Sequence, residues 1–322
     1  TRLMGYFRFF FFIISSLSIC HSALSKELCF DMKEPCNRQK ITVAKKWMIS
    51  AANPLAVSAG ATILEKGGSA ADAMVATQSV LGLVEPQSSG LGGGAFLVWY
   101  DSKSKKITTL DGRETAPLSV TPNMFLDGNN EPVKFFDAVV GGNSVGIPGT
   151  PALMKSAHRR WGKIDWEKLF SEAIALSESG FFVSDRLAKM IKRDGRRLKK
   201  FPRTSNYFFP NGKVLEAGEK LENKAYAKTL RSMAQEGTSV FYRGRIAVDI
   251  IETVGSATGN KNTIVREDLA NYKVVERQPV CKRYRSYKVC GMGPPSSGAI
   301  AIGQILGILE NYNISSCHLY CI

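Results

Sequence analysis

Histidine is scarce in this sequence: three in 322 residues, at positions 21, 158 and 318. That scarcity argues against a His-cluster metal centre and leaves little to serve as the imidazole base of a serine triad. Cysteine occurs seven times but never as C-x-x-C, so no pair has the spacing of metal ligands. There is no internal repeat and no Pro/Ser-rich stretch long enough to separate domains. No apolar run reaches the ~20 residues that a helix needs to span a bilayer. Acidic residues are missing from the start of the chain, where the first is Glu27.

What is present is ordinary globular composition, 44% hydrophobic and 22% charged, with enough length to bury a large core. Lys and Arg number 43 against 28 Asp and Glu, a net charge of +15. The densest basic run, residues 189–203, reads as an exposed helix face followed by a loop. A solvated surface accounts for it, with an anionic substrate or an acidic partner chain as the alternative. Nucleic-acid binding asks for a basic stripe interleaved with aromatics, and this run does not read as one, so no nucleic-acid partner is expected.

The N-terminus has the build of a secretory signal. Arg2 and Arg8 flank the apolar run at residues 9–14, and Ala23-Leu24-Ser25 offers a small-x-small cleavage site. The expected layout is a signal peptide at 1–25, a lead segment at 26–46, the main region at 47–313 and a patternless tail at 314–322. A secreted or periplasmic location follows, with a retained membrane anchor as the other outcome. Cys20 leaves with such a signal, Cys29 and Cys36 lie just behind it, and Cys317 and Cys321 fall in the tail.

From Asn53 the pattern becomes regular. Leu55, Ala59, Ile63 and Leu64 recur at helical spacing, and Gly67-Gly68 ends the run. Ser69 then caps a second helix carrying Ala73, Val80, Leu81 and Val84, stopped by Glu85-Pro86. After a Ser/Gly-rich loop, residues 95–100 read as a strand buried on both faces. Residues 106–110 read as its hairpin partner, with a turn at Asp101-Ser102-Lys103. Helices are expected at 150–161, 165–179, 185–199, 223–235 and 242–254, then strands across 274–289. A last helix over 297–312 turns Ile300, Gln304, Ile305, Ile308 and Leu309 inward. The class is α+β, in one domain, with few strands for so many helices.

Four motifs bear on chemistry. Gly90-Leu91-Gly92-Gly93-Gly94-Ala95 fits a loose dinucleotide fingerprint, but a helix precedes it and a strand follows, the reverse of what that site requires. Its other reading is a tight turn with close backbone approach. Gly142-Asn143-Ser144-Val145-Gly146 fits a nucleophile elbow, which needs a strand before it, a helix after it and a His in reach. Pro294-Pro295-Ser296-Ser297-Gly298 opens a helix and can cap it or hold an anion. The sharpest is Asp111-Gly112-Arg113-Glu114-Thr115-Ala116-Pro117, which a strand runs straight into. There Arg113 can grip a carboxylate through two parallel hydrogen bonds, or simply pair with Asp111 or Glu114. Cys281 and Cys290 are placed symmetrically about Arg285-Ser286, so a turn there sets them opposite each other, inside disulfide range.

Taken in order, these segments resemble the γ-glutamyltranspeptidase family. They include Ala52-Asn53-Pro54-Leu55-Ala56, the stretch from Glu65-Lys66-Gly67-Gly68-Ser69 through Ala73, Val84-Glu85-Pro86-Gln87, the Gly90–Gly94 loop, the Asp111–Pro117 run, Val145-Gly146-Ile147-Pro148-Gly149-Thr150, Phe241-Tyr242-Arg243-Gly244, Glu267-Asp268-Leu269-Ala270 and the Pro294–Gly298 loop. The likeness covers about residues 47–312 and corresponds to the family's large subunit. It implies an N-terminal nucleophile hydrolase with an αββα sandwich, incomplete here. Family members are precursors that cut themselves in two. The new N-terminal Thr of the small subunit then attacks a γ-glutamyl amide such as glutathione, with its own α-amine as base.

No metal or cofactor is implied. The one site residue carried over is Arg113, as the group that binds the substrate α-carboxylate. The nucleophile belongs to a Thr-Thr-His-like motif, and no Thr-His or Thr-x-His occurs in this sequence. No catalytic residue is therefore expected in this chain, which should be inert without the small subunit of the same precursor. Asn53 also stands where the family usually has His. Two other readings stay open: a non-catalytic homologue that keeps the fold for binding or assembly, and a serine esterase built on Ser144.

Overall fold

A computed structural model describes residues 43–257 and 264–314. Helix α1 (Pro54–Glu65) begins at Asn53, whose side chain accepts the Leu55 N–H, and runs with Pro at its first position. It ends at Lys66, with Gly67 at φ +85°, a left-handed turn that glycine adopts without strain. Helix α2 (Ala70–Val84) opens with a reciprocal capping box: Ser69 Oγ accepts the Asp72 N–H, and Asp72 accepts the Ser69 N–H. The two helices pack closely because α1 presents Ala56, Ala59 and Gly60 at the contact. A methyl on Gly60 would meet Thr77 and Ile49 side chains within 2.3 Å.

Strand β1 (Ala95–Asp101) turns back as β2 (Lys106–Gly112), in a register that sets Val98 against Thr109 and Trp99 against Thr108. A short helix α3 (Phe135–Val139) and a single 3₁₀ turn (Gly142–Ser144) lead to α4 (Thr150–Trp161). A 3₁₀ segment (Trp166–Phe170) runs into α5 (Ser171–Ser179). The two-residue strand β3 (Phe181–Phe182) pairs with β4 (Lys220–Leu221), bracketing α6 (Asp185–Leu198) and α7 (Pro202–Phe208). Helices α8 (Lys224–Glu236), α9 (Ser239–Tyr242), α10 (Arg245–Gly255) and α11 (Arg266–Ala270) follow. Strand β5 (Val275–Arg277) completes a sheet of order β1-β2-β5, antiparallel throughout.

The core of residues 46–279 is apolar and continuous. Leu83, Met154, Leu169, Phe170, Leu230 and Met233 are all fully buried within it. Each such side chain contributes about 1.5–3 kcal/mol by leaving water. Trp166 is buried edge-on to Phe170 and satisfies its indole N–H by donating to the Met233 carbonyl at 2.8 Å.

Packing divides the chain after Pro279, where the sequence offers no linker and reads as one domain. In the second unit, β6 (Val280–Tyr284) and β7 (Tyr287–Gly291) form a hairpin, and α12 (Gly298–Leu309) packs on it. The hairpin turns at Arg285-Ser286 with Arg285 at φ +53°, and Cys281 faces Cys290 in a disulfide, as the symmetry of the sequence predicts.

Several expectations are corrected. Strand β1 is not buried on both faces: Val98 is 49% and Tyr100 58% exposed. It is an edge strand, and its alternate residues point to the face that α4 does not cover. Helix α12 does not turn its apolar face inward; Ile300, Gln304, Ile305 and Ile308 are exposed and Leu309 only partly covered. The hairpin is too small to cover more than one flank of so apolar a helix. The basic run is followed not by a loop but by α7, because Pro202 at the first helical position starts a new helix. The helix expected over 242–254 starts at Arg245, after a separate helical turn at Ser239–Tyr242, and the one over 165–179 opens as a 3₁₀ segment.

Candidate functional site

The site forms where β2 ends. Asp111, next to last on the strand, is buried and divides its carboxylate between two partners. Oδ2 accepts from Arg277 Nε on β5 at 2.7 Å, and Oδ1 accepts the backbone N–H of Arg113 at 2.9 Å. The other polar group of the Arg113 backbone is held as well. Its carbonyl accepts from the Tyr272 hydroxyl at 2.8 Å. Tyr272 stacks on Tyr242, with centroids 5.7 Å apart and planes 9° apart. The Tyr242 hydroxyl in turn donates to the Pro148 carbonyl at 2.8 Å and accepts the Ala152 N–H at 3.1 Å. Burial and the negative charges of Asp111 and Glu114 push the Tyr272 hydroxyl up to about 12, so it stays a donor at neutral pH. Burial raises Tyr242 further in the same direction.

Glycines let three backbones meet here. The Gly93 carbonyl accepts the N–H groups of Gly149 (2.9 Å) and Thr150 (3.0 Å) at the start of α4. A methyl on Gly149 would fall 1.9 Å from the Gly112 oxygen and 2.2 Å from the Tyr272 hydroxyl. The Gly90–Gly94 loop is thus a close-approach turn, and its order, α2 before and β1 after, is not that of a dinucleotide site.

After Arg113 the chain stays extended. Thr115 and Ile147 exchange backbone hydrogen bonds, and Asp268 on α11 accepts the Leu118 N–H at 2.9 Å. A cleft of about 550 Å³ opens beside this segment. Arg113 and Glu114 line it together with the apolar side chains of Val120, Met124 and Phe125. The Arg113 side chain is exposed. An arginine that lines an open cleft on a backbone fixed at both N–H and C=O suits bidentate capture of a carboxylate.

Ser144 lines the same cleft but does not sit on a nucleophile elbow. A 3₁₀ turn carries it, with no strand before it, and its hydroxyl donates to the Val139 carbonyl at 2.5 Å and to the Gly141 carbonyl at 3.1 Å. His158 lies instead against Ile164 and Asp72, its Nε2 2.8 Å from the Ile164 carbonyl. His21 and His318 lie outside the described residues. Ser296 Oγ accepts the Gly298 N–H at 3.3 Å, so that loop helps cap α12, while Ser297 makes no side-chain cap. Asn53 donates its amide N–H to Glu85 at 3.2 Å, tying the α1 cap to the end of α2. Among the described residues, no group of three or more His, Cys, Asp or Glu is arranged to hold a metal ion.

The sequence pattern marks Arg113 at the end of a strand but not what fixes its backbone. Asp111 reads as a side-chain partner for Arg113; in the fold it holds the Arg113 backbone and the guanidinium of Arg277, 166 positions away. Tyr272 carries no signal beyond its place just after the Glu267-Asp268-Leu269-Ala270 motif.

The fold is that of the N-terminal nucleophile hydrolases, α+β, with a large antiparallel hairpin and helices on one of its faces. The chain belongs to the γ-glutamyltranspeptidase family, whose model matches residues 56–320. It is 38% identical over 277 residues to the glutathione hydrolase proenzyme of Bacillus subtilis strain 168, covering 86% of this chain and 46% of that protein. Among solved structures it resembles the γ-glutamyltranspeptidase of Helicobacter pylori at TM-score 0.82 and 35% identity, covering 87% of this chain and 79% of that one. It also resembles the transpeptidase CapD of Bacillus anthracis at TM-score 0.71 and 32% identity, with 85% of each covered. The chain spans about half the length of the curated relatives it matches.

Proposed function

We propose that this region, joined by a small subunit from the same precursor, cleaves γ-glutamyl amides such as glutathione and passes the γ-glutamyl group to water or to an amino acid or peptide. The observation that carries this reading is the placement of Arg113 at the cleft, within the region the family model matches. Arg113 binds the α-carboxylate of the γ-glutamyl group. The Thr at the start of the small subunit attacks the γ-carbonyl, its α-amine takes the hydroxyl proton and returns it to the leaving amine, and a γ-glutamyl ester forms. Water or an acceptor amine then attacks that ester and regenerates the Thr. No step asks anything of a histidine, in keeping with a chain that has three. Residues 1–25 act as an export signal; an oxidising destination agrees with the Cys281–Cys290 disulfide.

The test is Arg113→Lys in the processed two-subunit enzyme, assayed on a γ-glutamyl anilide. Lysine keeps the charge and loses the fork. A charged bidentate contact is worth roughly 1.5–3 kcal/mol, so KM should rise about tenfold or more while precursor cleavage proceeds normally. An unchanged KM overturns the assignment of Arg113.

A further inference from the structure

We infer that Tyr272 is a positioning residue for substrate capture, setting the Arg113 fork through its backbone; the inference rests on the role proposed for Arg113. A guanidinium at the end of a flexible side chain can make two parallel bonds to a carboxylate only if its backbone does not wander. The Arg113 peptide is pinned on both sides, its N–H by buried Asp111 and its carbonyl by Tyr272. Asp111 answers to β5 through Arg277, and it is part of the sheet. Tyr272 lies outside the sheet, on the loop between α11 and β5, and reaches across 159 positions to make this one bond.

Its ring is braced independently of that bond. Stacking on Tyr242 fixes the ring plane, and Gly149 leaves the space into which the hydroxyl enters. The hydroxyl therefore arrives at the Arg113 carbonyl already oriented. The hydrogen bond can be removed without disturbing the packing, which makes the role separable from stability. Tyr242 supplies the comparison: it shares the stack, but its hydroxyl serves Pro148 and Ala152 and never touches the Arg113 backbone.

The experiment compares Tyr272→Phe, Tyr242→Phe, Arg113→Ala and the double variant Tyr272→Phe/Arg113→Ala in the processed enzyme, with kcat, KM and melting temperature for each. Tyr272→Phe should raise KM for the γ-glutamyl anilide up to roughly fivefold, the ceiling set by one neutral hydrogen bond, with kcat held and a melting temperature that falls less than in Tyr242→Phe. Tyr242→Phe should lower the melting temperature and leave KM alone. In the Arg113→Ala background, Tyr272→Phe should add nothing, since the group it positions is gone. Three results overturn the inference: an unchanged KM in Tyr272→Phe, an equal KM rise in Tyr242→Phe, or additive effects in the double variant. The underlying reading fails separately, if Arg113→Ala itself leaves KM unchanged.

Discussion

Asp72 shows how much one residue can hold. It is fully buried at the start of α2, and one carboxylate oxygen accepts three backbone N–H groups, from Ser69 (2.8 Å), Lys163 (2.9 Å) and Ile164 (3.3 Å). The other oxygen lies 3.8 Å from His158 Nε2. The carboxylate thus ties the start of α2 to the loop after α4. Removing it leaves those donors buried and unmet, at a cost of about 3 kcal/mol or more. Asp72→Ala should therefore shift the urea midpoint of the 322-residue chain downward with an unchanged slope. A loss below ~1 kcal/mol would show that water or local repacking replaces the anchor. Half of this was legible: Ser69 followed three positions on by an acid is a capping signature. The reach to Lys163 was not, because nothing in local spacing records which loop a buried carboxylate meets 91 residues away. The same holds for Arg113, whose place was readable from the strand leading into it, and for Tyr272, which became visible only when two distant loops closed.

Among elements, the β6–β7 hairpin was read most completely and α12 least. Symmetry about Arg285-Ser286 fixes the register of a tight hairpin, and the register fixes which side chains share a face. Cys281 and Cys290 follow from that alone, with Cα atoms 4.1 Å apart. Closing a loop of about ten residues is worth roughly 2–3 kcal/mol by the chain-entropy account. The bond should matter locally. Cys281→Ser/Cys290→Ser should open cleavage sites between residues 280 and 291 to trypsin, which meets Lys282, Arg283, Arg285 and Lys288 there, while the core of residues 46–279 stays resistant. Equal resistance with and without the cysteines would assign the hairpin's order to α12 packing instead. For α12 the sequence shows an apolar helix but not what covers it, since periodicity reports a face and is silent about its partner. Strand β1 misled for a related reason: an apolar run looks the same whether a second layer lies over it or not.

At the scale of the molecule, the described residues place helix α4 on one face of the β1-β2-β5 sheet. Trp99 stacks on Trp161 of α4 at 4.4 Å, while the opposite face presents Val98 and Tyr100 on β1 and Val275 on β5 to solvent. These three share a face because the register sets Val98 against Thr109 and Arg277, and Val275 against Asp111 and Phe96. The same face also carries fully buried Thr109 and the Asp111–Arg277 ion pair, so its apolar exposure is local to these three side chains; exposed apolar side chains beside an edge strand are where chains associate. We propose that in the assembled αββα sandwich the second sheet lies on this face. The 322-residue chain alone should accordingly bind a hydrophobic dye and self-associate, and it should not release product from a γ-glutamyl anilide. Replacing Val98 and Tyr100 with Lys should reduce dye binding and association, measured by light scattering, with the far-UV circular dichroism unchanged. In the two-subunit precursor proposed above the same pair should act oppositely, blocking assembly and self-cleavage, because two ammonium groups would be buried between sheets without partners. Normal self-cleavage by that doubly substituted precursor would show that the second sheet packs elsewhere.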